Sequence, residues 1–255
     1  MNNDSSPEYL PSGASLSILE ECASTSATAR QYLDTKPHLP HWILARRQTA
    51  GYGRRARGWV MQEGDFAGSL VFAPKPELGP AGEYSFIAAL AVFGALETLL
   101  KDQGKSADQL SLKWPNDILC DGAKLCGILL ELVGTQKNPA LIMGIGINVV
   151  SHPADNPYPA TSLKTLGINP TIEMLVREID HHFHMWVDLW TERGFATVRD
   201  VWCEHAKGIG TTITVNLPDQ QLTGRFDGID DDGKLQLSTE EGLKKITAGD
   251  IFFRP

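Results

Sequence analysis

Two neighbouring segments of the chain are apolar along almost their whole length. Residues 124–133 read KLCGILLELV and residues 140–150 read ALIMGIGINVV. Apolar runs of this length, rich in β-branched residues, are typical of strands at the centre of a sheet that is covered on both faces. The chain must therefore fold around a sheet that contains these two strands.

Other periodic segments supply the elements around that sheet. Residues 84–101 (YSFIAALAVFGALETLLK) are apolar on nearly every face, which is typical of a buried helix. The pair Asp121-Gly122 predicts a tight hairpin just before the first apolar strand. Further strands are predicted at 41–49, 68–73, 110–114 and 118–120.

The last third of the chain changes character twice. Residues 170–192 carry a single apolar stripe at helical spacing, which predicts an amphipathic helix with Asn169 as its N-cap and Pro170 as its first residue. A second helix is predicted over 195–206. Between 211 and 255, short alternating runs separated by turn residues predict a β-barrel or β-sandwich of about five strands.

These patterns divide the chain into three predicted parts. Residues 1–14, which are polar and rich in turn-forming residues, are expected to form a flexible tail. Residues 15–207 are expected to form a larger α+β unit, and residues 208–255 a small β unit.

The composition limits the class of protein. The 255 residues carry a net charge of −8, which argues against bulk binding to nucleic acid, because that function usually needs a basic domain. The cysteines and histidines match no metal-binding spacing, so no metal site built by the protein alone is expected. No signal peptide and no uninterrupted apolar stretch of ~18 residues is present, so we expect a cytoplasmic protein.

Three arginines are concentrated in one glycine-flanked loop. Arg54, Arg55 and Arg57 lie between Gly51 and Trp59 in the sequence GYGRRARGW. Guanidinium groups so close together repel one another and favour a phosphate or carboxylate partner, and the indole offers a flat surface for stacking. The loop is therefore a candidate to close on an anionic, partly aromatic ligand, and an ordinary solvated surface loop is the alternative.

Two further motifs place polar side chains beside the apolar strands. In Lys113-Trp-Pro-Asn-Asp117 the proline restricts the backbone, so Asn116 and Asp117 are held at a strand end, although a simple Asx turn has the same pattern. Lys124 begins an apolar strand and Gly127 follows three residues later. Its ammonium either faces an anion or extends past the sheet end into solvent.

A glycine pair interrupts the second apolar strand. In Gly144-Ile-Gly-Ile-Asn148 the alternate glycines leave one face of the strand without side chains. That face is either a slot for a flat ligand, with Asn148 beside it, or a surface for close helix packing.

Together these motifs resemble those of biotin protein ligases, over residues 15–255. The motifs that carry the resemblance are Ser24-Thr25, QTAGYGRRARGW (48–59), KWPNDI (113–118), KLCGIL (124–129), GIGINV (144–149) and the small C-terminal β unit. The resemblance implies an α+β fold in which a mixed sheet is flanked by helices, similar to class II aminoacyl-tRNA synthetases, with a small C-terminal SH3-like β-barrel. It also implies that biotin and MgATP give biotinyl-5′-AMP, and that a lysine of a biotin carboxyl carrier protein then takes up the biotin.

The resemblance also implies roles for individual residues. Catalytic roles fall on Lys124, Arg54, Arg57 and Asp117, with Asp117 orienting the incoming lysine. Biotin would be bound by Ser24, Thr25, Gln48, Gly51, Arg54, Lys124, Gly127 and Gly144. ATP and the adenylate would be bound by Arg54, Arg55, Arg57, Trp59, Asn116 and Asn148.

The chain departs from the family pattern in three places. Tyr52 stands where an arginine is usual, Ala56 where a glycine is usual, and Ser26 where an asparagine is common. Only about twenty residues precede Ser24, so we expect no N-terminal DNA-binding domain and no repressor role. No pattern decides between a monomer and a homodimer.

Three competing interpretations remain open at the level of sequence. A lipoate-type protein ligase would use the same scaffold and the same adenylate chemistry on another acid. A basic-loop nucleic-acid binder would use the arginines without catalysis. A degenerate ligase would bind biotin without turnover because of Tyr52 and Ala56.

Overall fold

The structure is a computed structural model, and it describes residues 8–35, 38–75, 78–135, 137–153 and 158–253. The first eight strands are β1 (Glu8–Tyr9), β2 (Ser15–Cys22), β3 (His41–Gln48), β4 (Phe66–Phe72), β5 (Leu110–Lys113), β6 (Asp117–Cys120), β7 (Ala123–Thr135) and β8 (Asn138–Ile147). The last five are β9 (Thr212–Asn216), β10 (Gln221–Ile229), β11 (Leu235–Thr239), β12 (Gly242–Ile246) and β13 (Asp250–Phe253). The helices are α1 (Thr25–Leu33), α2 (Tyr84–Asp102), α3 (Ile172–Arg193) and α4 (Phe195–His205).

The first eight strands form one sheet in the order β1-β2-β3-β4-β8-β7-β6-β5. The pair β2–β3 is parallel and the other pairs are antiparallel, which confirms the predicted mixed sheet. The two apolar segments, β7 and β8, are neighbours inside the sheet, as predicted. Asp121 and Gly122, both with positive φ, form the tight turn between β6 and β7.

Helices cover both faces of this sheet. On one face α2 and α3 pack against a core that includes Leu141, Met143 and Ile145 from β8. On the other face α1 packs against a smaller cluster that includes Ile142, which lies between Leu141 and Met143 in β8. Helix α2 is long and apolar enough to cross a membrane, but most of it is buried in the core of the protein.

The structure corrects two expectations, the start of helix α3 and the flexible tail over residues 8–14. Helix α3 begins at Ile172 rather than Pro170, because the hydroxyl of Thr171 accepts the Met174 backbone N–H at 3.2 Å and so provides the N-cap. Residues 8–14 are not a flexible tail, since β1 pairs with β2 and the side chain of Leu10 is buried. The first seven residues lie outside the described part of the chain.

Strand β2 and helix α1 have no counterpart among the predicted elements. Helix α1 reads TSATARQYL and lacks a long apolar stripe, so its periodic signal is weak. Its start is fixed instead by Ser24, whose hydroxyl accepts the Ala27 backbone N–H at 3.4 Å.

The C-terminal strands form a five-stranded antiparallel sheet in the order β12-β11-β10-β9-β13, consistent with an SH3-like module. Within the described residues, the outermost strands β12 and β13 are not paired with each other, so the sheet is not a closed barrel. The backbone N–H of Lys207 donates to the carbonyl of Leu112, and Gly233 lies against the ring of Phe86. Gly233 belongs to the turn between β10 and β11, so its contact with Phe86 of α2 joins the small sheet to the larger unit.

Glu83, just before α2, gives this junction a dependence on pH. Its carboxyl group is 6% exposed, and burial, with a contribution from Asp232 of the small sheet, raises its pKa from 4.5 to about 7. Because the pKa is higher in the folded state, protonated Glu83 favours folding. This stabilisation is complete below pH 4.5 and is lost as the pH rises through about 7.

We therefore predict that the replacement Glu83→Gln removes a pH-dependent loss of stability. The melting temperature of the wild-type protein should fall by about 5 °C more between pH 5 and pH 8 than that of the variant. Differential scanning calorimetry across this range measures the effect. Glu192→Gln, which changes an exposed glutamate of α3, is the matched control and should keep the wild-type slope. Equal slopes for the wild type and Glu83→Gln would contradict the prediction.

Candidate active site

One cleft of about 750 Å³ lies over the ends of β6, β7 and β8, between the arginine loop and β13 of the small sheet. It collects most of the residues that the sequence singled out. Those that line it are Ser24, Thr25, Gln48, Arg54, Arg57, Trp59, Asn116, Asp117, Lys124, Gly127, Gly144 and Asn148. Gly51 and Arg55 are not among the lining residues.

Uncharged polar groups line one end of the cleft, at the N-terminus of α1. The side-chain oxygen of Gln48 accepts from the Thr25 backbone N–H at 2.7 Å and from its hydroxyl at 3.1 Å. Ser69 donates to the Thr25 hydroxyl at 2.9 Å, and its Oγ lies 3.1 Å from Oγ of Ser26. These hydroxyl groups are buried and held in place, so this end suits a neutral polar head group.

The arginine loop is a short hairpin whose two arms are hydrogen-bonded. The Trp59 backbone N–H donates to the Gly51 carbonyl at 2.8 Å, and Tyr52 pairs with Gly58. A Cβ at Gly51 would lie 2.7 Å from the side-chain nitrogen of Gln48, so a glycine lets the loop close. Gly51 therefore acts on the shape of the loop rather than on the cleft surface.

Two of the residues that depart from the family pattern, Tyr52 and Ala56, have structural consequences in the loop. The hydroxyl of Tyr52 donates to the carboxylate of Glu131 at 3.2 Å, which ties one arm of the loop to β7. Ala56 has a φ of 56°, in the left-handed region where an alanine costs about 1 kcal/mol relative to glycine. The loop tip therefore carries backbone strain at Ala56, and Tyr52 anchors its arm to β7.

The arginine side chains face the small sheet as well as the cleft. Arg54 donates to Oδ1 of Asn116 at 3.2 Å and to the Gly249 carbonyl at 3.3 Å, and burial lowers the pKa of its guanidinium. Arg57 forms an ion pair with Asp250 at the cleft rim. Arg55 also reaches Asp250, but from outside the cleft.

Lys124 and Asp117 form an ion pair on the cleft wall. The Lys124 ammonium lies 2.6 Å from Oδ1 of Asp117, and about a quarter of its side chain is exposed. The same ammonium is 5.8 Å from the ring centre of Trp59. The side chain therefore faces the cleft rather than open solvent. Asn116, the neighbour of Asp117, is fixed by donating to the Ile128 carbonyl at 2.6 Å.

The glycine-lined face of the central strands is occupied by groups of the protein. Gly127 and Gly146 are opposite each other in the β7–β8 pair, and the Trp59 indole lies over both. A Cβ at Gly146 would lie 2.3 Å from that ring, and one at Gly144 would lie 2.6 Å from Oγ of Ser26 in α1. The slot therefore receives a flat ring, but the ring is Trp59, and close helix packing accounts for Gly144.

Trp59 and Asn148 differ in how completely their polar groups are satisfied. The indole N–H of Trp59 is buried and has no hydrogen-bond partner within the described residues. Asn148 is 4% exposed, and its amide nitrogen donates to the Thr161 carbonyl at 2.9 Å, which fixes the orientation of the amide. An unsatisfied buried donor of this kind costs about 1–3 kcal/mol, so a ligand that accepts from Trp59 would be favoured.

The cleft also contains groups that the sequence reasoning missed. The ammonium of Lys113 lies 5.4 Å from the ring centre of Tyr158 and 5.8 Å from that of Phe252, and burial lowers its pKa. Asp250 completes this rim. Lys113 lies in a motif that was recognised, but the other three carry no local signal, because each comes to the cleft from a distant segment.

Adding a single methyl group at Gly146 should displace the Trp59 ring. We predict that Gly146→Ala raises the rate of trypsin cleavage after the loop arginines by about tenfold, because overpacking of this kind costs about 1–3 kcal/mol. Peptide mass spectrometry at short digestion times measures the rate. Gly82→Ala is the control, since nothing lies within 4 Å of the added carbon. Equal cleavage of both variants would contradict this placement of Trp59.

Comparisons with known proteins give two family matches for this chain. Residues 21–148 match the biotin/lipoate A/B protein ligase family, and residues 208–254 match the biotin protein ligase C terminal domain. The chain is 36% identical over 242 residues to a biotin--[acetyl-CoA-carboxylase] ligase of Paracoccus denitrificans, covering 91% of this chain and 98% of that protein.

The match covers different shares of two further relatives. The bifunctional ligase/repressor BirA of Bacillus subtilis (strain 168) is 34% identical over 236 residues, which cover 90% of this chain and 71% of that protein. The solved structure of the biotin protein ligase from Aquifex aeolicus in complex with biotin and ATP superposes with a TM-score of 0.79 at 27% identity, covering 94% and 98% of the two chains.

Proposed function

The chain belongs to the biotin protein ligase family, and from that premise we propose how its cleft carries out the reaction. The protein is a biotin ligase, an enzyme that uses ATP to attach biotin to an acceptor protein. The observation that carries the mechanism is one cleft that combines a neutral polar end with four cationic side chains.

Biotin fits the cleft with its uncharged ring system at the polar end. Its ureido group would exchange hydrogen bonds with Ser24, Thr25 and Gln48. Hydrogen bonds with Gln48 and Ser69 fix the Thr25 side chain, and Ser24 is held by the Ala27 backbone N–H. The aliphatic tail would then run past Gly144 and Gly127, toward Lys124 and Arg54. This orientation brings the biotin carboxylate to the cationic part of the cleft.

The first step joins two negatively charged groups. A carboxylate oxygen of biotin attacks the α-phosphorus of ATP, the new O–P bond forms, and the bond to the leaving pyrophosphate breaks. Lys124, Arg54 and Arg57 offset the repulsion between the reactants and stabilise the charge on the pentacoordinate phosphorus. The nucleotide base would stack near Trp59, with Asn116 and Asn148 at its side.

Mg²⁺ would enter with ATP rather than occupy a site of the protein. Among the described residues, no cluster of three or more His, Cys, Asp or Glu side chains is arranged to hold a metal ion. Asp117 is engaged by Lys124 and Asp250 by the loop arginines. Mg²⁺ is bound in many nucleotide sites chiefly by the phosphates and water, and it would neutralise part of the pyrophosphate charge here.

The second step transfers biotin to a lysine. The acceptor would be a biotin carboxyl carrier protein, whose lysine amine attacks the acyl carbon of biotinyl-5′-AMP and expels AMP. The amine must lose a proton, and we assign to the Asp117 carboxylate, which lies on the cleft wall, the roles of orienting the amine and accepting that proton. The arginine loop would cover the adenylate meanwhile, because exposed acyl-adenylates hydrolyse.

The choice of acid is the direct test of this function. Purified protein with Mg²⁺ should catalyse exchange between ATP and labelled pyrophosphate when biotin is present, and not with lipoate or without an acid. Exchange with lipoate instead would assign the sister activity of the family. Lack of exchange with either acid would show that the chain does not form an acyl-adenylate.

Removing the Lys124 ammonium should abolish the first step. We predict that Lys124→Ala lowers biotin-dependent pyrophosphate exchange by at least about 100-fold, since one such donor in a closed site typically contributes this much. Lys164→Ala removes an exposed lysine and should exchange at the wild-type rate. Normal exchange by Lys124→Ala would exclude the lysine from the mechanism.

A further inference from the structure

Three arginines of the loop converge on one carboxylate of the small sheet. Arg55 Nη1 lies 3.2 Å from Oδ2 of Asp250, Arg57 pairs with the same oxygen, and Arg54 Nη1 lies 3.7 Å from Oδ1. We propose that Asp250 is a latch that holds the loop closed over the cleft, and hence a positioning residue for retention of the acyl-adenylate. The inference rests on the proposed role of the loop as a cover.

Asp250 is well placed to anchor the arginine loop. It is the first residue of β13 and pairs with Asn216 of β9. The preceding Gly249 is closely packed, because a Cβ there would lie 2.9 Å from Val215, and its carbonyl accepts two hydrogen bonds from Arg54. The loop therefore docks on a rigid strand rather than on another loop.

The closed position of the loop depends on the Asp250 carboxylate, because the three arginines repel one another. Three guanidinium groups within reach of one another repel, and one carboxylate leaves the cluster with an excess of positive charge. The Asp250 side chain is only 19% exposed, so its charge is less screened than that of a surface ion pair. Without that charge, mutual repulsion among the arginines favours a loop that has moved away from the cleft.

Arg55 contacts Asp250 but not the cleft, so its role in the latch can be distinguished from a role in the reaction. It does not line the cleft, and its guanidinium pairs with Asp250 from the solvent side. Its backbone is left-handed, with a φ of 55°. Arg54 and Arg57 line the cleft and can turn toward a phosphate, so Arg55 is the contact that can keep the loop docked when a nucleotide is bound.

The test measures how fast synthetic biotinyl-5′-AMP leaves the enzyme, which requires no turnover. Radiolabelled adenylate is bound, an excess of unlabelled adenylate is added, and the bound label is followed with time. We expect Asp250→Asn to release the adenylate about tenfold faster than the wild type. Asp250→Glu keeps the carboxylate and should recover most of the wild-type rate. Asp219→Asn, an exposed aspartate of the same sheet, is the matched control and should release at the wild-type rate.

A double-mutant cycle with Arg55→Gln tests the contact itself. If Arg55 acts through Asp250, Arg55→Gln should speed release in the wild-type background and change little in Asp250→Asn. Additive effects in the double variant would overturn the assigned partnership. Equal thermal stability of Asp250→Asn and Asp219→Asn would show that the effect is not a loss of folding.

The outcomes separate the latch from the proposed function. If Asp250→Asn releases the adenylate at the wild-type rate while Arg54→Gly releases it fast, the latch is overturned and the loop remains the cover. If Asp250→Asn and Arg54→Gly both release the adenylate at the wild-type rate, the role of the loop as a cover is overturned as well. Equally fast release by Asp250→Asn and Asp219→Asn would assign the effect to the small sheet in general and overturn the latch. A wild-type protein that does not bind biotinyl-5′-AMP would contradict the proposed function.

Discussion

The close packing of β7 and β8 is the constraint on which the active site depends. Both strands are covered on one face by the large apolar core beneath α2. On the other face α1 covers only one end, where Ala140 and Ile142 lie, and the same face continues as Gly144 and Gly146. Glycines at these two positions leave room for Ser26 of α1 and for the Trp59 ring, which lie against this face beside the cleft.

Charge is the second constraint, and it links the two parts of the chain. A cleft built for phosphate chemistry concentrates cations, and without a ligand these need anions of the protein nearby. Asp117 meets Lys124 within the larger unit, whereas Asp250 meets the loop arginines from the small sheet. The C-terminal sheet therefore lines the cleft together with the larger unit.

Neutral and charged recognition are separated along the cleft. The hydroxyl and amide groups around Thr25 and Gln48 are oriented by hydrogen bonds among themselves, so they are already arranged for a neutral head group. The cationic groups are held instead by ion pairs with aspartates, which an incoming phosphate can replace. This division suits a substrate with an uncharged ring at one end and a reactive carboxylate at the other.

The sequence by itself determined the central strands, the buried helix α2 and the five C-terminal strands, because periodicity and turn residues are local signals. The ordered motifs along the chain also named polar and charged residues that line the cleft. It placed the start of α3 two residues early, where Thr171 capped the helix, and it gave no sign of α1, whose apolar stripe is weak. Only the tertiary structure decided that Trp59 lies on the glycine face and that Asp250 meets the three arginines. Those contacts join residues about 90 and 195 positions apart, and a packing or charge interaction at that separation has no periodic signature in the sequence.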